Sequence, residues 1–124
     1  MTGGSISTVL VVDDEPAIRL LCRVNLELDG YIVLEAGSLA EARARLYDTD
    51  VDVVLLDLHL GGETSYELIA ECRRGRPRIP VAVVTGSADP SAAERAGADA
   101  VLAKPFAVEE LARTVRALEG AAAR

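Results

Sequence analysis

Lysine is nearly missing from this chain. Of thirteen basic residues only Lys104 is a lysine, which leaves twelve arginines to carry the rest of the positive charge. A lone lysine in an arginine surface points to a role in which a compact ammonium matters more than a guanidinium fork. Other scarcities exclude whole classes. One histidine and two cysteines, Cys22 and Cys72, leave too few soft ligands for a zinc site. Those two lie far apart in apolar helical patterns, so they are expected as reduced, partly buried thiols in a cytoplasmic protein. No apolar run approaches the roughly 20 residues of a membrane span. The opening MTGGSIS has neither a basic n-region nor an apolar core, so no signal peptide is expected. Twenty acidic residues against thirteen basic give a net charge of −7, which argues against gripping a nucleic-acid backbone and suits a cation or a basic partner.

What is present is a core. Half of the 124 residues are apolar, enough for one domain over residues 1–124, with an ordered core expected over about 6–119. Short β-branched runs alternate with longer helical patterns. The strands are expected at Thr8–Val12, Tyr31–Glu35, Val51–Leu56, Val81–Val84 and Ala100–Leu102. Pro16 opens a helix that runs to Gly30, and Ser38 with Glu41 forms a capping box for the next. Tyr66 to Arg74 is a third helix. Asp89-Pro90 starts a fourth that ends near Gly97, and Val108, Leu111, Ala112, Val115 and Leu118 stripe the last. The RRGRPR stretch, Arg73 to Arg78, is expected as a solvated loop. Five βα units predict an α/β fold, a doubly wound five-stranded parallel sheet of order 2-1-3-4-5, with a crevice beyond the carboxyl ends of the first and third strands.

That topology gathers chemistry at one edge. Asp13 and Asp14 follow the first strand, Asp57 the third, Thr85 the fourth and Lys104 the fifth. Singly each has a plain explanation: Asp14 as a helix cap, Asp57 and Thr85 as turn formers, Lys104-Pro105 as a surface turn. Together they argue for a site. Three converging carboxylates need an offsetting charge, and Mg²⁺ takes a few carboxylate oxygens while keeping its waters. Such a cluster accommodates a phosphoryl group, with one carboxylate as nucleophile and Lys104 and Thr85 facing phosphoryl oxygens.

The runs VLVVDDEP, VDVVLLDL, VAVVTGS and GADAVLAKPF resemble the receiver domains of two-component response regulators over nearly the whole chain. The resemblance implies a flavodoxin-like receiver fold with Asp57 as the phosphorylated aspartate. Asp14 and Asp57 then ligate Mg²⁺ directly (Mn²⁺ able to take its place), with the His59 backbone carbonyl as a further ligand and Asp13 acting through water. Lys104 contacts the phosphoryl group, the Lys104-Pro105 bond is cis, and Thr85 moves toward the phosphoryl group on activation. His59 and Ser87 occupy positions that tune dephosphorylation. The donor implied is a histidine kinase or histidine phosphotransfer protein, and the output is an unidentified partner protein, with no direct nucleic-acid or membrane contact and a homodimer left open.

Three departures from the family pattern stand out. The loop after Asp57 reads HLGGETSYEL, lacking the usual proline and Asp-Gly, and Gly61 and Gly62 predict a looser segment. Thr85 to Lys104 is short, leaving a fourth helix of roughly two turns. Val101 stands where a switching aromatic is usual. A receiver-like binding module that works without phosphate is the alternative reading, and a small phosphohydrolase with an aspartate nucleophile is a lesser one. A flavin-binding protein of the same topology is set aside, because DDEP replaces the phosphate loop and three tyrosines and one phenylalanine leave little to stack a flavin. No enzymatic turnover beyond self-phosphorylation and autodephosphorylation is expected.

Overall fold

A computed structural model describes residues 6–60, 63–86 and 91–122. The main sheet is built from β1 (Thr8–Val12), β2 (Ile32–Ala36), β3 (Val53–Asp57), β6 (Val81–Thr85) and β7 (Ala100–Ala103). These five strands are parallel and ordered β2-β1-β3-β6-β7, the 2-1-3-4-5 arrangement once the main-sheet strands alone are counted. Between β3 and β6 in the chain, β4 (His59–Leu60) and β5 (Glu63–Thr64) form a separate antiparallel hairpin. The helices are α1 (Pro16–Leu28), α2 (Leu39–Asp48), α3 (Tyr66–Arg74), α4 (Ser91–Arg95) and α5 (Val108–Ala122).

Strand alternation divides the core in two. Leu10, Val12, Val54, Leu56, Val81 and Val83 face α2, α3 and α4, where Leu39, Ala42, Leu68, Ile69 and Ala93 cover them. Val9, Val11, Val53, Leu55, Ala82 and Val84 face the other way, onto Cys22 and Leu26 of α1 and Leu111, Val115 and Leu118 of α5. Every residue of β1, β3 and β6 is therefore buried, which is why these strands read as unbroken apolar runs. Among the described residues no helix is long and apolar enough to cross a membrane.

The thiols sit in opposite halves of this core, Cys22 under α1 and Cys72 under α3, both free and buried. Burial pushes each thiol up to about 11, with Asp13 adding to the effect at Cys22 and Glu71 and Asp99 at Cys72. The nucleophilic thiolate is then negligible at pH 8. Ellman's reagent is expected to titrate neither thiol in the native protein at that pH and both after unfolding in guanidinium; rapid native reaction of either thiol would contradict this burial.

Several boundaries differ from those read in the sequence, each for a local reason. Tyr31 belongs to the exit from α1, its N–H donating to Leu26 O after Gly30 turns the chain at φ +94°, so β2 begins at Ile32. Asp52 precedes β3 because its N–H donates to Thr8 O and its carboxylate accepts the Thr8 N–H. The strand runs on through Asp57, which is thus a strand residue and not a turn residue.

Helix α4 is short, as expected; five of its residues, Ser91–Arg95, are described, and its expected start at Asp89-Pro90 lies outside the described residues. It ends where Gly97 takes φ +103° and Ala98 N–H donates to Ala93 O. The segment expected to be loose after Asp57 is in part the β4–β5 hairpin, pairing His59 with Thr64 and Leu60 with Glu63. Gly61 and Gly62 themselves lie outside the described residues. Ser38 caps α2 as expected, accepting the Glu41 N–H, while the Glu41 carboxylate accepts the Gly37 N–H.

Candidate functional site

Parallel strands in register end level with one another, and the site is assembled from those ends. Val12 of β1 lies opposite Leu56 of β3, so the residues that follow, Asp13 and Asp57, emerge side by side. Thr85 lies opposite Ala103, which delivers Lys104 to the same edge; the Lys104 N–H donates to Thr85 O at 2.9 Å. The Lys104-Pro105 bond is cis, as the resemblance implied. Asp13, Asp57 and Thr85 are buried, whereas Asp14 is exposed.

The charges meet as the topology requires. Lys104 Nζ lies 3.0 Å from Asp13 Oδ2, 3.6 Å from Asp57 Oδ2 and 3.6 Å from Glu15 Oε1. The other Asp13 oxygen accepts the Glu15 N–H at 2.9 Å, so both oxygens of this carboxylate are engaged. Asp57 Oδ1 accepts the His59 N–H at 3.2 Å. Burial, together with the negative charges of Asp13 and Asp14, raises the Asp57 carboxyl above its ordinary value against the opposing His59 N–H and Lys104. Burial by itself would depress the Lys104 ammonium, yet its bond to Asp13 and the charges of Asp13, Asp57 and Glu15 prevail and hold it above the ordinary lysine value.

One ligand oxygen from each of Asp13, Asp14 and Asp57 fits within 4.8 Å of the other two. Three hard oxygen donors, one of them exposed, match a small divalent cation that keeps several waters, so the residues fit Mg²⁺. The single lysine pairs with only part of that negative charge, which leaves the cluster suited to a second cation.

The sequence-read residues are therefore largely brought together: Asp13, Asp14, Asp57, Thr85 and Lys104 share the edge, and exposed His59 opens the hairpin next to Asp57. Ser87 lies outside the described residues. The plain alternative of Asp14 as a cap of α1 does not hold: Glu15 is at the N-cap position without a side-chain cap, and its N–H is accepted by Asp13.

Three neighbours were not read from the sequence. Ser65, fully buried, donates its hydroxyl to Asp57 O at 2.8 Å. Arg19 donates to Asp13 O at 2.6 Å. Glu15 is the third anion near Lys104. Ser65 immediately precedes a helix, where a serine reads as a cap, and Arg19 is one arginine among twelve, so neither carried a distinguishing signal.

Comparison with known proteins agrees with this geometry. The family model described as response regulator receiver domain matches residues 9–116. The transcriptional regulatory protein KdpE of Mycobacterium tuberculosis is 38% identical over 112 residues, 88% of this chain and 49% of its own length. The chain spans about half the length of the curated relatives it matches, the PhoB protein of Pseudomonas aeruginosa among them at 51%. Among solved structures, a CheY-like receiver domain protein from Methanospirillum hungatei superposes with a TM-score of 0.87 at 28% identity, covering 95% of this chain and 97% of that one. TrrA from Thermotoga maritima, solved in complex with Mg²⁺-BeF, superposes at 0.81 with 30% identity, covering 91% and 99%. With the sheet order, the acidic edge and the opposing lysine all in place across residues 9–116, the chain belongs to the receiver domains of two-component response regulators.

Proposed function

We propose that this receiver takes a phosphoryl group onto Asp57 from a phosphohistidine of a partner kinase or phosphotransfer protein, in a Mg²⁺-dependent reaction in the cytoplasm. The observation that carries the reading is the division of labour among the carboxylates. Asp13 has both oxygens engaged and is nearly sealed from solvent, whereas Asp57 sits between a backbone N–H and Lys104 at the open end of its strand. This arrangement supports Asp57 as the nucleophile, the role that the receiver resemblance implies for it.

In the transfer, an Asp57 oxygen bonds to phosphorus as the phosphorus–nitrogen bond to the donor imidazole breaks, and the electron pair leaves with that nitrogen. Asp14, Asp57 and the His59 backbone carbonyl would hold Mg²⁺, with Asp13 reaching it through water, and Mn²⁺ would serve in its place. When bound, the cation supplies charge that offsets the carboxylates and the incoming phosphoryl oxygens. Lys104 turns from Asp57 toward the phosphoryl group, keeping its bond to Asp13, and the Thr85 hydroxyl donates to another phosphoryl oxygen. His59 and Ser87, by their positions in the family pattern, tune the hydrolysis of the acyl phosphate. The change is then read by a partner protein. Val101 is aliphatic, so the read-out does not pass through an aromatic rotamer at that position.

Intact mass measured after incubation with acetyl phosphate tests the reading. One phosphoryl mass is expected with Mg²⁺ and none with EDTA. No uptake, combined with no Mg²⁺ binding by calorimetry, would move the chain to the phosphate-independent binding module.

A further inference from the structure

The backbone of the acidic pair is gripped from outside the pair itself. Asp13 N–H donates to Ala36 O at 3.1 Å, and Asp13 O accepts from Arg19 Nη1 at 2.6 Å. The same guanidinium donates through Nε to Glu35 Oε1 at 3.1 Å, and Glu35 is held in turn by Arg23 at 3.0 Å. Both ends of the Asp13 residue are thus fixed by the carboxyl end of β2, one directly and one through Arg19. The peptide plane that follows is the one from which Asp14 projects, so its orientation sets where the exposed Asp14 carboxylate points.

The path to that carbonyl is kept open by Gly37. A Cβ at Gly37 would stand 3.1 Å from Arg19 Nη1 and 3.3 Å from Glu41 Oε1, tighter than ordinary contact on both sides. The Arg19 side chain is 20% exposed, and its guanidinium is held by Glu35 and the Asp13 carbonyl at this crossing.

We infer that Arg19 is a positioning residue for the cation site: bridging Glu35 and the Asp13 carbonyl, it sets the Asp13–Asp14 peptide and through it the aim of Asp14. The inference rests on the proposed Mg²⁺ site and concerns how its donors are oriented. It has a sign that charge alone does not. As a mere nearby cation, Arg19 repels Mg²⁺, and neutralising it tightens binding. As a positioning residue, its loss releases a ligand and weakens binding, by about tenfold or more for a lost outer partner.

The test is calorimetric Mg²⁺ titration of wild type, Arg19→Met, Arg19→Lys and Gly37→Ala, with the Asp14 amide followed by NMR in EDTA. Expected are a roughly tenfold weaker Kd for Arg19→Met, a smaller loss for Gly37→Ala, and partial rescue by Arg19→Lys, which donates to the carbonyl without the second arm to Glu35. The Asp14 amide nitrogen, bonded to the Asp13 carbonyl carbon, is expected to shift in the metal-free Arg19→Met protein. Wild type that binds Mg²⁺ while Arg19→Met binds it equally or more tightly overturns the positioning role and leaves the site intact. Wild type that binds no Mg²⁺ overturns the site itself.

Discussion

Asp57→Asn takes up no phosphoryl group from acetyl phosphate, binds Mg²⁺ at least about tenfold more weakly, and melts at a higher temperature than wild type in EDTA. The first effect is total, because a carboxamide offers no carboxylate oxygen from which an acyl phosphate can form. The second follows from losing one of three clustered anionic donors. The third is the less obvious. Burial, with Asp13 and Asp14 nearby, raises the Asp57 carboxyl against the His59 N–H and Lys104. A carboxyl raised in the fold stabilises it fully below its unfolded value, and that contribution is lost as pH rises through the folded value. Above that folded value it is gone, and the fold carries the ionised group at a cost. Asparagine stays neutral and still presents an oxygen to the His59 N–H.

The gain in melting temperature should therefore shrink as pH falls through the carboxylate range, because the wild type then protonates Asp57 and recovers the same stability. Melting curves of both proteins in EDTA across that range check the claim. A variant that melts lower than wild type at neutral pH would show that the Lys104 contact outweighs the repulsion.

The fold was legible because its signals are local and periodic. Unbroken Val/Leu runs can be covered only on both faces, and parallel order with short connections leaves few topologies. The gathering of these residues was legible for the same reason: strand ends in register bring residues from distant parts of the chain to one edge, so the topology alone puts Asp13, Asp57 and Lys104 together. Tertiary overrides were not visible. The hairpin after Asp57 depends on His59 pairing with Thr64 and Leu60 with Glu63, in a segment that reads as loop. Ser65 resembles any helix-leading serine until its hydroxyl is seen on the Asp57 carbonyl. Arg19 could be told from its eleven fellow arginines only once β2 was folded beside β1, which brought Glu35 and the Asp13 carbonyl to its guanidinium.

The lone lysine gives the strongest test of the electrostatic account. Lys104→Met in EDTA is expected to lose stability on the order of 3 kcal/mol, because Asp13 is nearly sealed from solvent and loses the 3.0 Å ammonium that offsets its charge. The same substitution tightens Mg²⁺ binding, since one positive charge leaves a cluster of three carboxylates. Mg²⁺ binds only the folded protein, and at 100 times its Kd adds about 2.7 kcal/mol, so it recovers much of the deficit. Phosphoryl uptake nevertheless slows at saturating Mg²⁺, because no ammonium faces the transferred group.

Lys104→Arg separates charge from shape. It keeps a cation near Asp13 and so retains most of the metal-free stability. Its planar fork, however, replaces a compact ammonium that reaches Asp13, Asp57 and Glu15 from one atom, so uptake still falls. Urea unfolding with and without Mg²⁺, beside the acetyl phosphate assay, reads both quantities. Unchanged EDTA stability in Lys104→Met would mean that something other than this pair holds the Asp13 charge. Full uptake by Lys104→Arg would mean that charge alone suffices, and the solitary lysine of an arginine-rich chain would then have no chemical reason in this site.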